Sequence, residues 1–172
     1  MTTFNRKMTI NKDLTFNEPK KTAVPEEPSE MFFEIIEFLK ERYTLNKSVL
    51  IIKNENAALS AISTWTNGFR QDGLTLNLPH KESLFERVID DGRIYTDSFV
   101  SSFCGNFFEK KLLLDDDSRS YALKPLKSNG KLVGIIGFSS KNPTAFSLME
   151  DGDSSDLLDQ FADRLAQVKE IA

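Results

Sequence analysis

The sequence predicts a single α+β domain, an antiparallel sheet with the helices from the two ends of the chain packed on one of its faces. Three observations carry this. Asn129-Gly130 stands between two apolar strands, and a tight hairpin turn needs positive φ at both of its central residues. Two β-branched runs, SVLIIKN (48–54) and ALSAISTWTNG (58–68), read as an earlier hairpin. Helical apolar stripes flank the whole, with Phe32, Ile35, Ile36, Leu39 and Tyr43 at the start and Leu157, Phe161, Leu165 and Val168 at the end.

Taken in order, residues 1–28 are polar and hold Pro19, Pro25 and Pro28, which predicts a flexible arm before a domain at 29–172. Weak alternation at Met8–Ile10 and Leu14–Phe16 leaves room for a docked strand there. Ser29 is the expected N-cap of a first helix reaching Tyr43. After the first hairpin, LTLNLP (74–79) reads as a short edge strand, and Ser83–Asp91 as a helix stopped by Gly92. RIYTD (93–97) reads as a short strand. Phe99, Phe103 and Phe107 recur every four residues and predict a helix over 98–114 despite Gly105. The last helix spans about 153–171, with Asp153 and Asp156 arranged to cap it.

Counting outward from the Asn129-Gly130 turn sets Leu126 opposite Val133, Pro125 opposite Gly134, Lys124 opposite Ile135 and Tyr121 opposite Phe138. Side chains alternate across a strand. One face is then expected to show Tyr121, Leu123, Ile136 and Phe138, and the other Ala122, Leu126, Val133 and Ile135. Both are apolar, so the sheet is expected to be covered on both sides. Pro125 has no N–H and must sit at a gap in the ladder. Gly134 and Gly137 allow a backbone, a helix or a ligand to come close, and packing is the commoner cause.

Composition narrows the function. The chain has 172 residues, 40% hydrophobic and 28% charged, with a net charge of −4 and no basic cluster, which argues against nucleic-acid binding. The longest apolar run, LVGIIGF, is too short to span a membrane, and the amino terminus has no apolar signal core, so a cytoplasmic location is expected. Cys104 is the only cysteine and His80 the only histidine, which leaves no ligand set for a structural zinc. No G-x-S-x-G elbow accompanies His80. The acidic stretches at 115–120 and 151–156 lack the glycine and distal glutamate of a calcium loop and read as solvated loops and a helix start. No glycine-rich phosphate loop is present. A non-enzymatic domain is expected, with no metal site and no identified cofactor.

SLFERVIDDGRIYTD (83–97), YALKPLKSNGKLVGIIGF (121–138) and AFS (145–147) followed by DLLDQFADRLAQV (156–168) together resemble a GAF domain over residues 29–170. The resemblance implies a central antiparallel sheet of five or six strands. The terminal helices would lie on one face, and connecting helices and loops would enclose a pocket on the other. It also implies a signalling domain that binds a small molecule, or alternatively an interaction or dimerisation module with a vestigial pocket. The Asn-Lys-Phe-Asp-Glu pattern of cyclic-nucleotide binders is not recognisable. Cys104 lies where bilin binders attach their chromophore but is followed by Gly105. Members that reduce free methionine sulfoxide rely on more than one cysteine, and Cys104 alone cannot complete that exchange within the chain.

The expected ligand-binding residues are Phe85, Phe99, Phe103, Cys104, Phe107, Tyr121, Leu123 and Lys124, with Cys104 a small apolar or pocket-lining group of low reactivity and no metal ligand. Phe85, Phe99, Phe103 and Phe107 could line such a pocket or plug it. Lys124 is expected either to reach solvent or an acid such as Asp117, or to offer its charge to an anionic ligand, helped by Arg70 and Arg119. In multidomain relatives the last helix runs on into an output domain. Here the sequence stops at Ala172, so a signal is expected to pass through a partner protein or a homodimer. The helices at 29–43 and 153–171 would form the dimer, because Met31, Phe33 and Phe38 widen the first helix's apolar face beyond what one sheet covers.

Overall fold

The computed structural model describes residues 27–171 except 55, 57, 148 and 150–152. The elements run α1 (Pro28–Leu39), β1 (Leu45–Lys53), β2 (Leu59–Thr66), β3 (Phe69–Gln71), β4 (Leu76–Asn77), α2 (Leu84–Asp91), β5 (Tyr95–Asp97), α3 (Phe107–Leu113), β6 (Ser120–Ser128), β7 (Lys131–Ser140) and α4 (Asp153–Ile171). The expected arm lies, but for its last two residues, outside the described residues.

All seven strands join one antiparallel sheet in the order β3-β2-β1-β7-β6-β5, with β4 also pairing β2. The strand beyond the expected five or six is β3. Asn67 and Gly68 both hold positive φ, so the Asn-Gly that ends β2 is itself a hairpin turn into Phe69–Gln71.

The helices α1 and α4 cover one face together, burying Phe32, Ile36, Leu39, Leu158, Phe161 and Leu165 with Leu50, Ile136 and Phe138 of the sheet. The helix α1 begins with Pro28 at its first turn and Glu27 as cap, where the Glu27 N–H donates to Glu30 Oε1 at 3.4 Å. Ser29 is therefore not the cap. Its hydroxyl meets Ser63 Oγ at 2.5 Å. The helix ends at Leu39, since the chain turns through 40–44 with Thr44 at φ 50°, yet Tyr43 stays buried against Phe146 at 5.6 Å between ring centroids. Met31 and Phe33, part of the face that one sheet is not expected to cover whole, are buried within the chain. Only Phe38 of that wide face is exposed. The capping arrangement expected at Asp153 falls on a side chain outside those described.

The other face carries α2 and α3 over Val49, Ile51, Tyr121, Leu123 and Ile135. Both sheet faces are thus covered, but the second hairpin's register differs from the expected one. Asn129 and Gly130 form the turn as expected, with φ of 53° and 77°. Lys127 then pairs Leu132 while Leu126 pairs Gly134, so Val133 is an extra residue and every later partner is displaced by one. Pro125 faces Ile135, Lys124 faces Ile136 and Ala122 faces Phe138. The bulge sends Ile136 and Phe138 to the terminal-helix face and leaves Ile135 beside Tyr121 and Leu123. Pro125 costs the ladder nothing on its outer side, because β5 stops pairing at Tyr95–Leu123.

One end of the sheet is closed by a buried polar knot. Asn46 Nδ2 donates to Asp115 Oδ1 at 2.6 Å and to Ser118 Oγ at 3.0 Å, and Asn46 Oδ1 accepts from Ser139 Oγ at 3.1 Å. Asp115, expected as part of a solvated loop, belongs to this knot, while Asp116 and Asp117 are exposed.

Candidate functional site

The face beneath α2 and α3 is where the resemblance to GAF domains implies a pocket, and its geometry follows from how those helices start. The three-phenylalanine spacing does not make one helix. Val100–Ser102 form a single 3-10 turn, the chain extends at Phe103, and Asn106 caps a new helix with its side chain accepting from Glu109 N at 3.0 Å. Asn-x-x-Glu is the reciprocal capping pattern that ends the first segment and begins the second, and it was legible at 106–109. A side chain at Gly105 would also collide with Glu109 Oε1, at 2.5 Å.

Glu109 is wholly buried and fully bonded. Its Oε1 accepts from Leu84 N at 2.8 Å and Asn106 N at 3.2 Å, and its Oε2 from Ser83 Oγ at 2.5 Å and Phe85 N at 3.2 Å. One carboxylate thus satisfies unpaired donors at the starts of both helices, where negative charge is favoured.

The eight expected site residues divide. Phe85, Tyr121 and Leu123 are wholly buried together, and Phe103 packs edge-on against Tyr121 at 5.4 Å. Phe99 and Phe107 point outward, 71% and 66% exposed, because neither lies on the inner side of a continuous helix. Phe107 instead meets Phe108 at 6.0 Å, and Lys111 sits over its ring at 5.4 Å. Lys124 is on the opposite face of the sheet, half-buried under α4 with Nζ 4.0 Å from Asp159 Oδ1. Its acid is Asp159, not Asp117. Arg70 is no helper to it either, since Arg70 pairs Glu37 at 3.3 Å and lies over the Phe33 ring.

Two residues unforeseen from the sequence complete the buried side. The Tyr121 hydroxyl donates to Asp97 Oδ2 at 3.2 Å, and the Tyr95 ring stands 6.0 Å from that of Tyr121. Burial pushes the Tyr121 phenol well above its ordinary range, and Tyr95 and Asp97 push the same way. Burial likewise raises Tyr95, with Tyr121 opposing and Cys104 and Asp97 adding to the rise. Both phenols are therefore neutral hydrogen-bonding groups at ordinary pH.

Cys104 is exposed, which corrects the expectation of an apolar, sheltered thiol. The neighbouring Phe103 turns inward and leaves it at the rim of an open groove of about 480 Å³, lined also by His80, Glu82, Ser83, Glu86, Arg87 and Asp90. Arg87 Nη2 donates to the Cys104 carbonyl at 2.7 Å, and His80 Nδ1 contacts Glu86 Oε2. The native protein is expected to take up one equivalent of a maleimide reagent at Cys104 within minutes. Labelling only after denaturation would show the thiol to be sheltered.

No protein-family model matches the sequence, and none of the curated proteins does. Solved structures match along most of its length. The GAF domain of a two-component sensor histidine kinase from Bacillus halodurans is 20% identical, covering 83% of this chain and 95% of that one with a TM-score of 0.64. The GAF domain of a phosphoenolpyruvate-protein phosphotransferase from Coxiella burnetii is 14% identical over 86% and 88% of the two chains, with a TM-score of 0.64. A free methionine-R-sulfoxide reductase from Neisseria meningitidis, solved with its substrate, is 15% identical over 82% and 81%, with a TM-score of 0.55. These likenesses, the seven-stranded antiparallel sheet and the division of helices between its faces agree: the chain has the GAF-type fold.

Proposed function

We propose that this is a non-catalytic regulatory domain that acts through protein contacts, including self-association, rather than through a ligand held over the sheet. The observation that carries this reading is the filling of the face beneath α2 and α3. Phe85, Leu113, Tyr121, Leu123 and Ile135 are all fully buried there against one another. A ligand cavity is concave and has a few convergent polar groups at its wall. Here two polar groups on that side, Glu109 and the Tyr121 hydroxyl, are spent on Ser83, on helix starts and on Asp97.

A regulatory role is supported by the sensor kinase and phosphotransferase proteins whose GAF domains share the fold. The reductase of the same fold is an enzyme. Against that chemistry stands Cys104, the one cysteine among the 172 residues, which has no second thiol in the chain to resolve an oxidised intermediate. Self-association is assigned to the outer sides of α1 and α4, where Phe38 is 66% exposed beside the Glu37–Arg70 pair.

A native mass spectrum of the purified protein with its absorption spectrum tests this. The expected result is a dimer whose mass is that of two bare chains, with no absorption beyond the aromatic side chains. A stoichiometric small molecule released on denaturation would overturn the reading in favour of a small-molecule sensor.

A further inference from the structure

The segments 79–87 and 104–109 are tied to each other far more densely than packing alone would need. Besides the three bonds from Ser83, Leu84 and Phe85 to Glu109, Asn106 Nδ2 donates to the carbonyls of Pro79 and Lys81, each at 3.2 Å, and Arg87 Nη2 to that of Cys104 at 2.7 Å. All six join the start of α2 to the start of α3. Between these helices in the chain lies β5, which belongs to the sheet and not to the cover. From this geometry we infer that α2 and α3 form one conformational unit, a cover over the sheet face that opens as a whole or not at all.

The physical reason is the cost of opening either helix alone. Lifting α2 strands a carboxylate that is wholly buried, and lifting α3 strands the first amides of α2. Either partial state keeps the hydrophobic face half shut while leaving buried polar groups unpaired. Lifting both together exposes Phe85, Tyr121 and Leu123 but leaves the bonds among the six unbroken. Local openings of this kind occur in contiguous cooperative segments below the free energy of global unfolding. The cover thus sets a threshold for access to the sheet face, whatever approaches it.

Hydrogen exchange of the full chain, read by mass spectrometry on peptides over 83–91, 106–114 and 121–140, tests the inference. Two variants are compared with the wild type. Glu109→Gln keeps size and one acceptor but removes the charge, and Arg87→Ala removes one exposed tie and leaves the core untouched. In the wild type, 83–91 and 106–114 are expected to show matched protection and to lose it together in mild urea, with the β6–β7 hairpin still protected. In Glu109→Gln, which cuts the ties, the match is expected to be lost, exchange rising about tenfold in one helix relative to the other, the scale of a hydrogen bond to a charged group. Arg87→Ala should part the two helices by a smaller factor. Unmatched protection in the wild type, or protection still matched in Glu109→Gln, refutes coupling through these bonds, and an equal loss over 121–140 refutes a unit separate from the whole fold. Neither result depends on whether a small molecule co-purifies.

Discussion

Replacing Gly134 with alanine is expected to destabilise the protein by about 3 kcal/mol, the upper end of what overpacking a core costs. An added Cβ there would lie 2.4 Å from the Ile51 carbonyl oxygen, which is backbone of the strand paired to it. That strand, β1, is held between β2 and β7 and cannot yield as a side-chain tip would. Gly137 differs, since its nearest obstacle is Leu113 Cδ1 at 2.8 Å, the far end of a side chain that can rotate. Gly68 gives the control. Its φ is 93° and nothing lies within 4 Å, so Gly68→Ala should lose only the left-handed backbone penalty of about 1 kcal/mol. Urea unfolding of the two variants measures the contrast. Equal midpoints would show that β1 moves aside for the methyl group. The glycines of β7 thus permit close approach between strands and under α3.

Phe85→Ala should cost about 3–5 kcal/mol, the range for removing a large aromatic side chain from a core. The residue is fully buried at the start of α2, facing Tyr121, Leu123 and Leu113. If that face is filled by its own side chains, the variant carries an apolar void, and such voids stay dry and accept small apolar molecules. Benzene or indole should therefore raise the melting temperature of Phe85→Ala while leaving the wild type unaffected. A loss below about 2 kcal/mol with no rescue would mean the face collapses easily and is not tightly packed. Stabilisation of the wild type by the same probes would mean that space already exists there.

Much of the fold is readable from local chemistry. Gly92 holds φ 76° and ends α2 where a left-handed stop is needed, Ser83 caps that helix, and the Asn129-Gly130 turn adopts the φ values its residues favour. The bulge at Val133 is not readable, because Val133, Ile135, Ile136 and Phe138 are all apolar and two registers bury them equally well. A one-sided polar pattern would have chosen between them. The spacing of Phe99, Phe103 and Phe107 imitates a helical stripe, yet Asn106 and Glu109 start a helix of their own and turn two of the three rings to solvent. The acid beside Lys124 comes from α4, some distance along the chain, and no neighbouring residue announces it. Four of the eight expected site residues share a face: Phe85, Tyr121 and Leu123 obey the local periodicity of α2 and β6, and Phe103 turns in from an extended segment. Lys124 follows Leu123 on β6 and so faces the other way, while Phe99, Cys104 and Phe107 depend on where a connecting segment bends.

The pairing of β1 with β7 has a consequence for how the chain reaches this state. The β1–β2 and β6–β7 hairpins each close over short turns, but the seam between them joins distant parts of the chain, as Ser139 and Asn46, 93 residues apart, show. Closing so long a loop delays the reward of non-local contacts. On a ribosome β1 emerges well before its central partner and waits with one edge unpaired, flanked by Leu50, Ile51 and Ile52. That edge is a template for wrong pairing until β7 arrives. The polar knot of Asn46, Asp115, Ser118 and Ser139 sits at the end of this seam, where a mispaired strand would bury the Asn46 amide oxygen without its donor. The knot therefore acts as a proofreader of strand order, penalising any partner that does not bring a serine to that position.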